Sequence, residues 1–158
     1  MTKPKSLLDG IGSVSITKKY YDDWSEKYDQ TLDQWKYQAP KKSSFLLKQE
    51  IKIKPEYILD LACGTGLFGI ELKKIYQKSK IYGSDISYKS IQIAKQKKIY
   101  YNLEKYNFEN KHIYKIKFDL VSMIGSMTYC KNFDKLFENV KFYLKKKGIF
   151  IFSHRLDL

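Results

Sequence analysis

The chain has 158 residues, 43% of them hydrophobic, and a formal net charge of +13. That length suffices for one domain with its own core, and that apolar content excludes disorder as the global state. The longest apolar runs, such as residues 148–152, fall far short of a membrane span, and residues 1–5 lack the apolar core of a signal peptide.

Residues 1–16 are weakly patterned and are expected to form a loose N-terminal segment, with residues 17–158 making the domain. Thr17 is placed to cap a helix through Tyr20, Tyr21, Trp24 and Tyr28, whose steps of three and four make one apolar face. Pro40 breaks the chain, and residues 42–49 read as a helix with Phe45, Leu46 and Leu47 inward. Strand one is expected at 57–61 and its helix at about 67–76. Strand two follows at 80–84 with a helix at about 89–100, and a weak third strand lies near 103–106. Strand four is expected at 118–124 and a helix at about 133–144. Lys145-Lys146-Lys147-Gly148 reads as that helix's basic last turn and glycine stop, ahead of strand five at 149–153. Strands alternating with helices predict an α/β fold with a Rossmann-like, doubly wound parallel sheet, plus N-terminal helices.

The most informative stretch is Leu59-Asp60-Leu61-Ala62-Cys63-Gly64-Thr65-Gly66, a strand end, a tight glycine turn and a helix start. Glycine suits such a turn because its backbone reaches unusual φ/ψ values and lets a ligand approach closely. Nineteen residues after Gly66, the second strand ends in Asp85. A glycine turn with an acid at that distance is how an α/β sheet grips a nucleoside, the carboxylate taking the ribose hydroxyls. Two cysteines, Cys63 and Cys130, make neither a disulfide framework nor a metal cluster, so a reducing, cytoplasmic setting is expected and Cys63 is read as structural. Lysine supplies nearly all of the positive charge, Arg155 being the single arginine, and it is spread along the chain. Such a distribution speaks to non-specific attraction and not to a specific nucleic-acid site.

These residues resemble the class I S-adenosylmethionine-dependent methyltransferases over about residues 20–155. The motifs that carry the resemblance are 59–66, Tyr82-Gly83-Ser84-Asp85-Ile86-Ser87, Phe118-Asp119-Leu120-Val121-Ser122 with Ile124-Gly125-Ser126, and the turn at 144–150. Residues 21–29 resemble the lid helix of the small-molecule branch. The resemblance implies a five-strand order 3-2-1-4-5, S-adenosyl-L-methionine as cofactor, and a small-molecule acceptor. It implies that Asp60, Ala62, Cys63, Gly64 and Gly66 surround the methionine and ribose, and that Asp85 takes the ribose hydroxyls. Ile86 and Phe108 would flank the adenine, with Asn107 either accepting from its amino group or serving as an ordinary turn residue. Ser126 and Met127 would line the cleft near the methyl group or pack in the loop, and Tyr20, Tyr21, Trp24 and Tyr28 would be lid aromatics or part of a buried helix face, Tyr20 and Tyr28 being the two assigned to the cofactor. No residue declares itself as a catalytic base; His154 at the end of strand five is a candidate, and His112 reads as inert.

Gly64-Thr65-Gly66-Leu67-Phe68-Gly69 also satisfies the dinucleotide pattern G-x-G-x-x-G. Asp60 argues against it, because a pyrophosphate would meet an added negative charge, whereas a methionine α-ammonium would be held. The strand-four end lacks the Asn/Asp-Pro-Pro-aromatic signature of many nucleic-acid amino-methylating enzymes. The family continues for two more strands, which this sequence does not contain. The expectation is therefore a fragment, a reduced form, or a chain whose apolar strand five is covered by self-association or by a partner. A non-catalytic cofactor-binding protein is the alternative reading.

Overall fold

The computed structural model describes residues 6–52 and 54–155. Helix α1 spans Val14–Gln34 and starts earlier than expected, because the Ser13 hydroxyl accepts from the Ile16 N–H at 3.3 Å and serves as its cap. Thr17 is already inside the helix, buried, and its hydroxyl donates to the Gly10 carbonyl at 2.7 Å. Residues 6–11 are likewise held in turns, with Ser6 N–H on the Asp9 carboxylate at 2.8 Å. Helix α2 spans Ala39–Glu50 with Pro40 in its first turn. Pro40 starts this helix and does not break the chain, since first-turn N–H groups have no helical partner to lose. At 100° per residue three consecutive side chains cannot share a face. Pro40, Ser44 and Leu47 are buried, whereas Phe45 and Leu46, expected inward, are more than half exposed.

The sheet follows. Strand β1 is Tyr57–Leu61, α3 is Leu67–Ile75, β2 is Lys80–Asp85, α4 is Tyr88–Gln96 and β3 is Asn102–Lys105. Strand β4 is Phe118–Met123, followed by a 3-10 turn at Met127–Tyr129, α5 at Phe133–Tyr143 and β5 at Leu144–Phe152. Helix α4 stops short of Tyr100: Lys98 takes φ +55 and the chain turns back. The Tyr100 ring then lies where a Cβ on Gly66, Gly69 or Gly83 would collide with it. Lysines 145–147 and Gly148, expected as a helix end, are the extended first half of β5. Two steps along β4, Phe118 to Leu120, oppose five along β5, Leu144 to Ile149. Asp119 stabilises this bulge by pairing with Lys145 at 2.8 Å while accepting from the Glu56 and Tyr57 N–H groups.

All five strands are parallel, in the expected order β3-β2-β1-β4-β5. Side chains alternate faces along each strand. Leu59, Leu61, Val121 and Met123 meet Leu136, Val140 and Tyr143 of α5 on one face. Ile58, Ile81 and Leu120 meet Leu47 of α2 and Phe68 and Leu72 of α3 on the other. The chain leaves β1 toward β2 on one side and reaches β4 on the other, so a crevice opens outside the carboxyl ends of β1 and β4, where such sheets bind ligands.

Candidate functional site

The turn after β1 is shaped by three left-handed residues: Ala62 at φ +52, Gly64 at +53 and Gly66 at +90. Ala62 pays about 1–2 kcal/mol for this conformation, which a non-glycine residue seldom adopts. Cys63 N–H on the Ser84 carbonyl and Gly66 N–H on the Cys63 carbonyl, both 2.9 Å, fix the turn against β2. A Cβ on Gly64 would meet nothing within 4 Å, so this glycine faces open space. One on Gly66 would meet Tyr100 at 3.0 Å and Ala94 at 3.4 Å. Gly66 therefore serves packing behind the turn.

That open space is a cavity of about 1060 Å³, counted out to its mouth, between the sheet's carboxyl edge and α1. It brings together Asp60, Ala62, Cys63 and Gly64 from β1 and its turn, and Asp85 and Ile86 from β2. Asn107 and Phe108 come from the loop after β3, Ser126 from the loop after β4, and Tyr28 from α1. Gly66, Tyr20 and Met127 are not among its lining residues. Tyr20 donates to the Ser6 carbonyl at 2.6 Å, and Met127 is buried in the α5-side core. On α1 the lining positions are Val14, Thr17, Tyr21, Tyr28 and Leu32, at steps of three, four, seven and four. Once Tyr28 is placed in the cavity, helical spacing selects Tyr21 over Tyr20.

Two buried carboxylates form the floor. Asp60 accepts from Tyr100 Oη at 2.7 Å and from Ser122 Oγ at 2.8 Å. Burial pushes its pKa up to about 6, against the pull of those two hydrogen bonds, and the Asp85 charge adds to the rise. Asp85 accepts the Gly64 N–H and the Ser87 N–H, each at 2.8 Å, and burial likewise raises it to about 6. Among the described residues, neither carboxylate has a cationic side chain within 4.0 Å. Burial also raises the hydroxyls of Tyr21, Tyr28, Tyr37 and Tyr129, so all stay protonated at neutral pH. The Cys63 thiol is raised by the same cause, which fits a structural role. Asn107 Oδ1 accepts the Glu109 N–H at 3.0 Å, a turn contact, while the residue also lines the cavity.

Helix α1 is tied over the cavity at two points the sequence did not reveal. Asp22 accepts from Ser87 Oγ at 2.7 Å and from the Lys89 N–H at 3.3 Å. Asp29 accepts from Thr65 Oγ1 in the glycine turn and from Lys97 Nζ at 2.6 Å. Their signal was two carboxylates seven residues apart on the helix that carries Tyr21 and Tyr28. Neither histidine lines this cavity: His112 pairs with Glu104 at 2.8 Å and stacks on Tyr106, and His154 lies in a neighbouring one. Among the described residues no helix is long and apolar enough to cross a membrane.

A family model described as a methyltransferase domain matches residues 54–156. A malonyl-[acyl-carrier protein] O-methyltransferase of Legionella pneumophila is 45% identical over 49 residues, 31% of this chain and 17% of that protein. The protein of the same name from Bacillus cereus is 24% identical over 143 residues, 88% of this chain and 52% of that one. The crystal structure of an S-adenosylmethionine-dependent methyltransferase from Clostridium acetobutylicum superposes with a TM-score of 0.66 at 27% identity, covering 84% of this chain and 56% of the other. The chain thus spans about half or less of the length of these relatives. With the matched region running from β1 through β5 on a sheet of this order, the chain belongs to the class I S-adenosylmethionine-dependent methyltransferases.

Proposed function

We propose that this chain binds S-adenosylmethionine in the cavity under α1 and directs methyl transfer to a small-molecule acceptor. The observation that carries this reading is the pair of buried carboxylates, Asp60 and Asp85, without a cationic partner among the described residues, flanking a glycine with open space over its Cα. This donor set fits a nucleoside that also carries positive charge. Asp85 keeps lone pairs for two ribose hydroxyls beyond those used by the Gly64 and Ser87 N–H groups. Ile86 and Phe108 would offer apolar surface to an adenine, and Asn107, which lines the same cavity, would offer the second lone pair of the oxygen that accepts the Glu109 N–H. Gly64 admits the methionine backbone, and Asp60 offers a counter-charge to its ammonium. Tyr21, Tyr28 and Ser126 remain for the methyl end.

When bound, the sulfonium supplies an electrophilic methyl carbon, whose bond to sulfur breaks as the acceptor's lone pair forms the new one. The chain's own task is alignment and exclusion of water, which carries much of the rate in such displacements. The tyrosines, held protonated, donate hydrogen bonds and take no proton. Cys63 and Cys130 are buried free thiols, consistent with a reducing, cytoplasmic setting.

Titration calorimetry with S-adenosylmethionine, S-adenosylhomocysteine and NAD tests the reading. Asp85→Ala should weaken both sulfur nucleosides roughly 10- to 100-fold, since a hydrogen bond to a charged group contributes about 1.5–3 kcal/mol. Unchanged affinity in the variant, or tighter binding of NAD by the parent, would refute the site. Label transfer from methyl-labelled cofactor into a metabolite extract then separates an enzyme from a binding protein.

A further inference from the structure

The crossover from β3 to β4, residues 106–117, runs over the face of the sheet that α5 covers, and it contains no helix. On that face α5 packs against β4 and β5, while the amino ends of β1 and β2 are covered by aromatic rings. Lys80 pairs in register with Tyr57, and Tyr82 follows Lys80 by two positions, so all three share this face. The Tyr82 ring lies 6.5 Å from that of Tyr57 and 5.3 Å from that of Tyr101, centroid to centroid, and Tyr101 is 63% exposed. Lysines that the sequence scatters are gathered on these rings. Lys80 Nζ lies 5.6 Å from the Tyr57 centroid and 5.1 Å from that of Tyr101, and Lys145 Nζ lies 5.4 Å from Tyr57. Further along the same edge, Lys111 Nζ and Lys117 Nζ lie 3.9 and 3.7 Å from the Phe142 centroid. Glu56, beside Tyr57, and Asp119 bring negative charge to this edge, and Lys145 pairs with Asp119 at 2.8 Å. Among the described residues, Lys80, Lys111 and Lys117 make no ion pair within 4.0 Å.

We propose that this amino-edge surface binds single-stranded nucleic acid without sequence preference. Bases stack on Tyr101 and the rings beside it, and Lys80, Lys111 and Lys117 meet the phosphates. Every base has a face to stack, so an aromatic platform flanked by cations holds a strand of any sequence. A lysine resting on an exposed ring is held weakly, so it can turn to a phosphate without breaking a buried contact. The net charge of +13 draws a polyanion toward the chain. Lysine as the cation favours this partner over an acidic protein, because protein–protein interfaces are depleted in lysine. Strands β1 and β2 are five and six residues long, so at about 3.3 Å per residue this surface lies roughly 17–20 Å from the cavity at their carboxyl ends. The surface therefore tethers a strand and does not present a base to the methyl donor, and it stands independently of the methyl-donor reading.

The test is fluorescence anisotropy of a labelled oligouridylate on the 158-residue chain over a series of salt concentrations. The competitors are a base-free phosphodiester oligomer of the same length and polyglutamate. Saturable binding is expected, with the oligouridylate preferred over both competitors. Tyr101→Ala should weaken it at least about fivefold and leave the salt dependence unchanged, and Tyr101→Trp should retain it. Lys80→Gln should reduce the slope of log affinity against log salt by about 0.7, the loss of one phosphate contact on a single strand. Lys48→Gln, exposed on α2, should change neither affinity nor slope. Circular dichroism confirms that each variant is folded. Equal losses in Lys80→Gln and Lys48→Gln would mean diffuse attraction and would overturn the site. So would a base-free oligomer or polyglutamate that competes as well as the oligouridylate, the latter pointing to an acidic protein. Displacement of the oligouridylate by S-adenosylhomocysteine would place it under α1 and overturn the amino-edge location.

Discussion

Asp60 shows how a residue proposed to bind a ligand opposes the stability of its own fold. Its folded-state pKa, about 6, lies above the usual carboxylate value of 3.8. The folded chain thus binds this proton more tightly than the unfolded one. The associated stability is complete below about pH 3.8 and is lost as pH rises through about 6. At pH 7 the ligand-free fold carries a buried charge. Asp60→Asn should therefore raise thermal stability at pH 7, by an amount on the order of 1–3 kcal/mol, with the gain shrinking toward pH 5. The two hydroxyl partners, Tyr100 and Ser122, can reorient to an amide, so the substitution leaves no obligatory orphan. Melting curves across that pH range check it, and a variant less stable at pH 7 would show that the carboxylate is not held at a net cost. Tyr100 acts on the same group. Its hydroxyl favours the charged form of Asp60, so Tyr100→Phe should raise the carboxylate's pKa further. Affinity for S-adenosylmethionine should then fall near pH 6.5, and its rise with pH should move upward. An unshifted affinity–pH curve would mean that Asp60 does not meet the ligand's positive charge.

Helix α1 is joined to the sheet's carboxyl edge by polar side chains: Asp22 on the start of α4, and Asp29 on Thr65 and Lys97. A segment fastened by a few part-exposed hydrogen bonds opens more readily than one fastened by core packing. Asp29→Asn should speed amide exchange along α1 while leaving β1 and β4 protected, and it should increase the dissociation rate of a bound nucleoside. Exchange that is unchanged in α1 would show that the Tyr21–Tyr129 contact and the Asp22 hydrogen bonds hold the helix without Asp29. The legibility of the elements follows the same division between local and distant causes. The strands and the two acids at their ends were readable, because apolar runs, a glycine turn and a fixed spacing are local. The first half of β5 was not. Three lysines and a glycine after an amphipathic helix carry a helix-end signal, and only the pairing with β4 and the Asp119–Lys145 contact makes them extended. Tyr100 read as the end of α4 for a similar reason, since the niche left by Gly66, Gly69 and Gly83 exists only once the sheet is formed. Of the four aromatics on α1, Tyr21 and Tyr28 line the cavity and Tyr20 and Trp24 do not, and a stripe at steps of three and four does not say which of its members borders a void.

At the scale of the molecule, charge and edge act against each other. Among the described residues, strand β5 pairs with β4 on one side only, so its other side is an edge of the sheet they form. Its first half, lysines 145–147, is exposed and guards that edge in the way edge lysines do. The second half is unguarded: Ile149, Phe150 and Ile151 are half-buried, and Phe152 is 44% exposed beside Phe150 and Phe137. A net charge of +13 keeps copies apart at low ionic strength. Screening shortens the reach of that repulsion to about 3 Å at 1 M salt, while apolar attraction survives. The 158-residue chain should therefore be monomeric at low salt and associate as salt rises, through residues 149–152. Phe152→Lys is the informative variant, because its side chain is already largely in solvent and its removal spares the core. It should shift the monomer–dimer balance toward monomer at high salt with little change in melting temperature. Sedimentation velocity over a concentration series at low and high salt measures both effects. A parent chain that stays monomeric at every salt concentration, with slow amide exchange along the outer side of β5, would show that the edge is already covered.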